Sequence, residues 1–171
     1  MTEPRRIFLV GPMGAGKTTI GKRLAKALKL KFIDADHELE RRTGVTIATI
    51  FDIEGEDGFR QREQKLLDEL TQMDGIVLAT GGGAVLNAET RRALSTRGFA
   101  VYLHASPEEL IARTRNDTHR PLLQTPDRAE RLRAIVAARH PLYEEAAHCS
   151  IDTGALSLGE IVARIRTASE L

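Results

Sequence analysis

Arg6-Ile7-Phe8-Leu9-Val10 runs directly into Gly11-Pro12-Met13-Gly14-Ala15-Gly16-Lys17-Thr18. The first five residues read as a buried strand that stops at a glycine. The next eight match G-x-x-x-x-G-K-[ST] at every fixed position. Beyond them Ile20, Leu24 and Leu28 recur at i, i+4 and i+8, one face of a helix. A strand, a glycine-rich turn and a helix in that order make a phosphate cradle. The glycines let backbone N–H groups curl inward, and the helix start adds partial positive charge. Gly14, Ala15, Gly16, Lys17, Thr18 and Thr19 are the residues expected at the phosphates. Lys17 is expected to reach the β- and γ-phosphates, and the Thr18 hydroxyl to ligate Mg²⁺. A ligand-free glycine turn shares the spacing, but strand and helix flank this one as the phosphate-binding reading requires. The chain is therefore expected to bind a nucleoside triphosphate, and the acceptor must be read elsewhere.

Outward from this motif, strands and helices alternate. Lys31-Phe32-Ile33-Asp34 reads as a second strand, followed by a helical stretch with a stop at Gly44 and a restart near Thr46. Phe59 to about Thr71 reads as a longer helix with Leu66, Leu67 and Leu70 inward. Gly75 to Thr80 is a third strand. Asn87 caps a helix to about Arg97, with Gly98 suited to its C-terminal end. Phe99 to Leu103 is the fourth strand. Ser106-Pro107-Glu108-Glu109 combines a capping box with proline at the first helical position. Residues 116–127 are polar, carry two prolines and have no clean period, and read as a mobile loop. Arg128 to about Ala138 is helical, His148 to Asp152 is a weak fifth strand, and Ser157 with Glu160 opens a last helix. A β-α unit repeated in this way demands right-handed crossovers and a parallel sheet covered on both faces.

Composition narrows the function. The 171 residues fit one domain, 1–171. Lys and Arg number 25 and Asp and Glu 24, a net charge of +1, which argues against a polybasic nucleic-acid binder. The single cysteine, Cys149, excludes an intrachain disulfide and a multi-cysteine metal cluster. Apolar runs such as Phe99 to Leu103 are far below the roughly 20 residues of a membrane helix, so the expected setting is the cytoplasm, without membrane attachment. No leftover apolar stripe calls for a second copy, and a monomer is expected.

Candidate acceptor residues follow the second and third strands. Asp34-Ala35-Asp36, read as extended backbone, places both carboxylates on one side, toward the crevice above the strand ends. A solvated acid pair has the same spacing. Gly81-Gly82-Gly83 is entropically expensive and makes sense where bare backbone approaches a ligand. Arg60 and Glu63 are i, i+3 neighbours, so Glu63 can hold the guanidinium while Arg60 grips a carboxylate; an ordinary surface ion pair looks the same. Arg120 in the polar loop can close over phosphate, and Arg139 is either a second anion anchor or a helix-terminal cation.

Together these motifs resemble the shikimate kinase family over nearly the whole chain. The resemblance is carried by Gly11 to Thr18, Asp34-x-Asp36, Phe59-Arg60-x-x-Glu63, Gly81-Gly82-Gly83, Arg120-Pro121-Leu122, and Arg139 before Pro141-Leu142-Tyr143. It implies an α/β fold like that of the P-loop nucleoside monophosphate kinases, a three-layer sandwich. A five-stranded parallel sheet in the order 2-3-1-4-5 has helices on both faces, with a substrate-binding region at about 34–62 and a mobile lid at about 116–127. It implies transfer of the γ-phosphoryl of ATP to the 3-hydroxyl of shikimate, with Mg²⁺, on the route to chorismate and the aromatic amino acids. By the same resemblance Asp36 binds the substrate hydroxyls and accepts the proton. Asp34 supports Mg²⁺ through water, and Arg60 and Arg139 pair with the shikimate carboxylate. Gly82, between Gly81 and Gly83, offers its N–H to the substrate. Arg120, with Lys17, serves catalysis at the ATP phosphates, and Arg113 lies against adenine. Thr18 stands where many members have serine, and either hydroxyl can ligate Mg²⁺. Two rivals share parts of this pattern: another small-molecule kinase, such as a nucleoside monophosphate or gluconate kinase, and a nucleotide-dependent binding module.

Overall fold

The computed structural model describes residues 5–115 and 126–169. Among these, β1 (Arg6–Val10), β2 (Lys31–Asp34), β3 (Ile76–Ala79), β4 (Phe99–His104) and β5 (Cys149–Asp152) form one sheet in the order β2-β3-β1-β4-β5. Every pairing is parallel, with Leu9 of β1 opposite Ala79 on one side and Val101 on the other. The connecting helices are α1 (Lys17–Leu28), α2 (Ala35–Thr43), α3 (Ile47–Leu70), α4 (Ala88–Arg97), α5 (Pro107–Arg113), α6 (Arg128–Ala146) and α7 (Leu158–Ser169). A 3₁₀ turn spans Ala84–Leu86.

The alternation of side chains along each strand builds two cores. Ile7 and Leu9 of β1 join Val77, Val101 and Leu103 beneath α1 and α7, against Leu24, Ile161 and Ile165. Phe8 and Val10 face the other way, joining Leu78, Ala100 and Tyr102 beneath α3, α4 and α6, against Leu67, Leu94 and Tyr143. Residues Ile7 to Val10 are fully buried because β1 has a strand on each side and helices on both faces. Each such large side chain contributes about 1.5–3 kcal/mol by leaving water. The three layers and the strand order agree with the expected fold.

Two local readings need correction, the backbone at Asp34 and Asp36 and the end of α6. Asp34 and Asp36 do not share one extended strand. Asp34 is the last residue of β2 and the N-cap of α2, its Oδ1 accepting the His37 N–H at 3.2 Å, and Asp36 sits in the first helical turn. The cap outcompetes continued pleat because it satisfies an otherwise orphan N–H. The helical restart expected near Thr46 and the longer helix expected from Phe59 are both present, joined as α3, which Thr46 caps and which non-helical backbone at Gly55, with φ 74° and ψ 179°, interrupts. α6 does not end near Ala138; it continues through Pro141 to Ala146. Burial of Tyr143 and Ala146 against the sheet offsets the ladder bond that proline removes. Gly98 closes α4 as expected, in extended backbone, where a Cβ would meet the Arg6 carbonyl oxygen at 2.7 Å. The lid expected at 116–127, with Arg120, lies outside the described residues except for its last two, which form a turn before α6.

Candidate active site

The carboxyl ends of the central strands open into a crevice of about 610 Å³. The loop after β1 forms one wall. Gly14 and Gly16 take φ values of 84° and 94°, left-handed backbone that glycine adopts freely. Ala15 between them is buried, and Lys17 opens α1. The Lys17 ammonium lies within the loop, donating to the carbonyls of Gly11 at 2.5 Å and Pro12 at 2.9 Å. Thr18 and Thr19 follow on the first turn and line the crevice. Arg113, at the end of α5, donates to the Gly14 carbonyl at 3.0 Å and to Thr153 Oγ1 at 3.2 Å, and pairs with Glu109. It therefore ties the cradle to the far edge of the sheet.

The Thr18 hydroxyl donates to Asp34 Oδ2 at 2.9 Å. This brings one hydroxyl and one carboxylate together beside the phosphate cradle. Both are hard oxygen donors, the chemistry Mg²⁺ prefers when phosphates and water complete its shell. Among the described residues no group of three or more His, Cys, Asp or Glu side chains is arranged to hold a metal ion. The donor set thus fits a cation that arrives with a nucleotide.

On the other side of the crevice, each glycine of the triplet has charged side chains close to its backbone. A Cβ on Gly81 would lie 2.8 Å from Asp36 Oδ1 and 3.0 Å from Glu63 Oε2. On Gly82 it would lie 3.5 Å from the Met13 nitrogen and 3.7 Å from Arg139 Nη1. On Gly83 it would collide with the Arg60 guanidinium. Asp36, Arg139 and Arg60, from α2, α6 and α3, thereby converge on one short turn after β3. Arg60 Nη1 donates to Glu63 Oε1 at 2.8 Å, and its guanidinium lies 5.0 Å from the Phe59 ring centroid. Arg139 is only 6% exposed, so it is no ordinary helix-end cation.

Two residues matter more than the sequence indicated. Glu63 is 6% exposed, and burial pushes its carboxyl above the ordinary range while Arg60 pulls it down. Tyr143, fully buried, donates its hydroxyl to the Gly82 carbonyl at 2.5 Å, fixing the middle of the triplet. Its spacing of i+4 from Arg139 was the available signal, hidden by ending the helix near Ala138. Burial also pushes the Tyr143 hydroxyl far up, so it stays a donor. The structure brings together every candidate residue except Arg120, which lies outside the described residues.

Comparison with known proteins adds an independent line. The family model described as shikimate kinase matches residues 13–170. A shikimate kinase of Bordetella pertussis is 58% identical over 156 residues, covering 91% of this chain and 74% of that protein. Shikimate kinase 1 of an Enterobacter species is 57% identical over 155 residues, covering 90% of this chain and 89% of that protein. The solved shikimate kinase from Acinetobacter baumannii, in complex with shikimate, superposes with a TM-score of 0.93 at 48% identity, covering 98% of this chain and 93% of that one. Agreement of sequence and fold over almost the full length settles the family: the chain belongs to the shikimate kinases.

Proposed function

We propose that this kinase transfers the γ-phosphoryl group of ATP to the 3-hydroxyl of shikimate, giving shikimate 3-phosphate and ADP on the route to chorismate and the aromatic amino acids. The observation that carries the reading is the convergence of Asp36, Arg60 and Arg139 on Gly81-Gly82-Gly83, beside the phosphate cradle. Two guanidiniums and one carboxylate suit a small acid bearing hydroxyl groups.

Phosphoryl transfer has a loose transition state, so placement and charge stabilisation outweigh base strength. Backbone N–H groups from Gly14 to Thr19 cradle the phosphates, and Lys17 neutralises charge on the transferred group. Mg²⁺ neutralises phosphate charge when bound; Thr18 would hold it directly and Asp34 through water. Arg113 flanks the adenine. Arg60 and Arg139 hold the shikimate carboxylate, the Gly82 N–H meets the substrate, and Asp36 orients the reacting hydroxyl and accepts its proton. The chain works as one unit, with residues 34–62 on the acceptor side and 116–127 as the lid that brings Arg120 to the phosphates. We read it as a cytoplasmic monomer acting on small molecules, without nucleic acid or membrane. The near-neutral charge supports this, as does the lack, among the described residues, of a helix long and apolar enough to cross a membrane.

ADP release assayed with shikimate, gluconate, AMP and nucleic acid tests the reading. Stimulation by shikimate alone is expected, and stimulation by gluconate or AMP in its place overturns it. In the same assay Asp36→Asn is expected to lose about 10²–10⁴-fold in kcat. Near-normal turnover removes Asp36 from its role.

A further inference from the structure

Glu63 is a buried carboxylate with one oxygen left over. Its Oε1 holds Arg60, but among the described residues its Oε2 has no hydrogen-bond partner, nor does Arg60 Nε. The charged groups around it come from three elements. Arg60 lies on its own helix α3, Asp36 reaches it from α2 across the bare backbone of Gly81, and Arg139 reaches it from α6. Glu56, half-exposed, stands 3.6 Å from the opposite arm of Arg60. Setting aside Glu56, whose charge is partly solvated, Glu63 and Asp36 face two guanidiniums and the cluster nearly balances.

A carboxylate substrate disturbs that balance. On the reading given above, which this inference assumes, the acid docks against Arg60 and Arg139. Three carboxylates then share two guanidiniums in a space from which water has been displaced. Crowding like charges away from water favours protonation of one of them. Asp36 is held among substrate hydroxyls, and the substrate acid has both guanidiniums. Glu63 has lost part of its claim on Arg60, and its Oε2 has nothing to accept from. We propose that Glu63 is a proton-linked positioning residue, taking one proton from solvent onto Oε2 as shikimate docks and thereby ceding Arg60 to the substrate. The burial that already raises its carboxyl in the free protein points the same way.

Calorimetric titration of the full chain with shikimate, in buffers of different ionisation enthalpy, counts the protons taken up per substrate bound. Between about pH 6 and pH 8 we expect uptake approaching one proton and affinity weakening by up to about tenfold per pH unit. Glu63→Gln keeps the side chain's size and its hydrogen bond to Arg60 but cannot take the proton. In it the uptake should vanish and the affinity should become flat with pH, neither of which a purely structural role would produce. Undiminished uptake in Glu63→Gln, or none in the wild type while shikimate binds, overturns the proposal. Should that variant not fold, infrared difference spectra of the wild type decide the matter. A protonated-carboxyl band that appears with shikimate and shifts on ¹³C-glutamate labelling supports Glu63, and its absence despite binding overturns it. If shikimate does not bind at all, the acceptor reading falls together with this one; if it binds without a proton, only this one falls.

Discussion

At the scale of single residues, the proposed acceptor side is a set of charges held at fixed separations by the absence of side chains. Gly81→Ala tests this directly, because its Cβ would enter the space between Asp36 Oδ1 and Glu63 Oε2. Both atoms are side-chain ends and can yield, so the fold should survive. The carboxylates would not return to place, and displacements near 1 Å at a reacting centre cost about 100-fold in rate. The expected result is an unchanged melting transition, a fall in kcat/KM for shikimate of that order, and a nearly constant KM for ATP. Arg60→Lys makes the complementary test. It keeps the charge but loses the planar fork that can serve Glu63 and a carboxylate at once. Steady-state kinetics should show the shikimate KM rising by more than about tenfold and the ATP KM by much less. Equal increases would place Arg60 outside the acceptor site.

At the scale of elements, legibility depended on whether the deciding interaction was local. The glycine cradle, β1 and α1 were readable because a strand run, a fixed spacing and a helical face all sit within 23 residues. The caps at Ser106, Asn87 and Ser157 were readable for the same reason, each bonding to an N–H two or three residues on. The roles of α3 and α6 were not. The continuation of α6 past Pro141 is decided by Tyr143 and Ala146 meeting the sheet, a contact far away in sequence. The strand order came from a family resemblance, since helical and strand periods do not say which strands are neighbours. Likewise the convergence of Arg60, Arg139 and Asp36 on one turn is a product of topology, which no spacing encodes. Within α3, Gly55 interrupts an otherwise regular run at φ 74° and ψ 179°, backbone that is essentially glycine's alone. No heavy atom lies within 4 Å of a Cβ built there, so sterics with neighbours play no part. Gly55→Ala is therefore expected to cost about 1–3 kcal/mol through backbone strain alone, read as a shift in the urea midpoint. An unchanged midpoint would mean that α3 straightens at no cost.

At the scale of the whole molecule, α2 and α3 are tied to each other by charge as well as by packing, and that tie has a pH dependence of known sign. Glu38 of α2 bonds Arg41 at 2.6 Å and Arg42 at 2.9 Å, and Arg42 reaches on to Glu69 of α3 at 2.8 Å. Hydrogen bonds from Arg41 and then Arg42 hold the Glu38 carboxyl well below its ordinary value, down to about 2. A carboxylate more acidic folded than unfolded adds stability above its unfolded pKa of 4.5, and that increment disappears as pH falls from there to about 2. Glu63 has the opposite sign. Its carboxyl is raised by burial, so its ionised form opposes folding increasingly as pH rises above the ordinary glutamate range. The two residues therefore separate in one experiment. Urea unfolding of Glu38→Gln should show a deficit of about 1 kcal/mol or less at neutral pH, since its arginine partners are partly exposed. That deficit should close as pH drops from 4.5 to about 2, because protonation then removes in the wild type what the substitution removed already. Glu63→Gln should diverge from the wild type toward high pH instead. A Glu38→Gln deficit that persists unchanged at pH 2 would show that packing, rather than the ion pairs with Arg41 and Arg42, is what Glu38 supplies to the joint between α2 and α3.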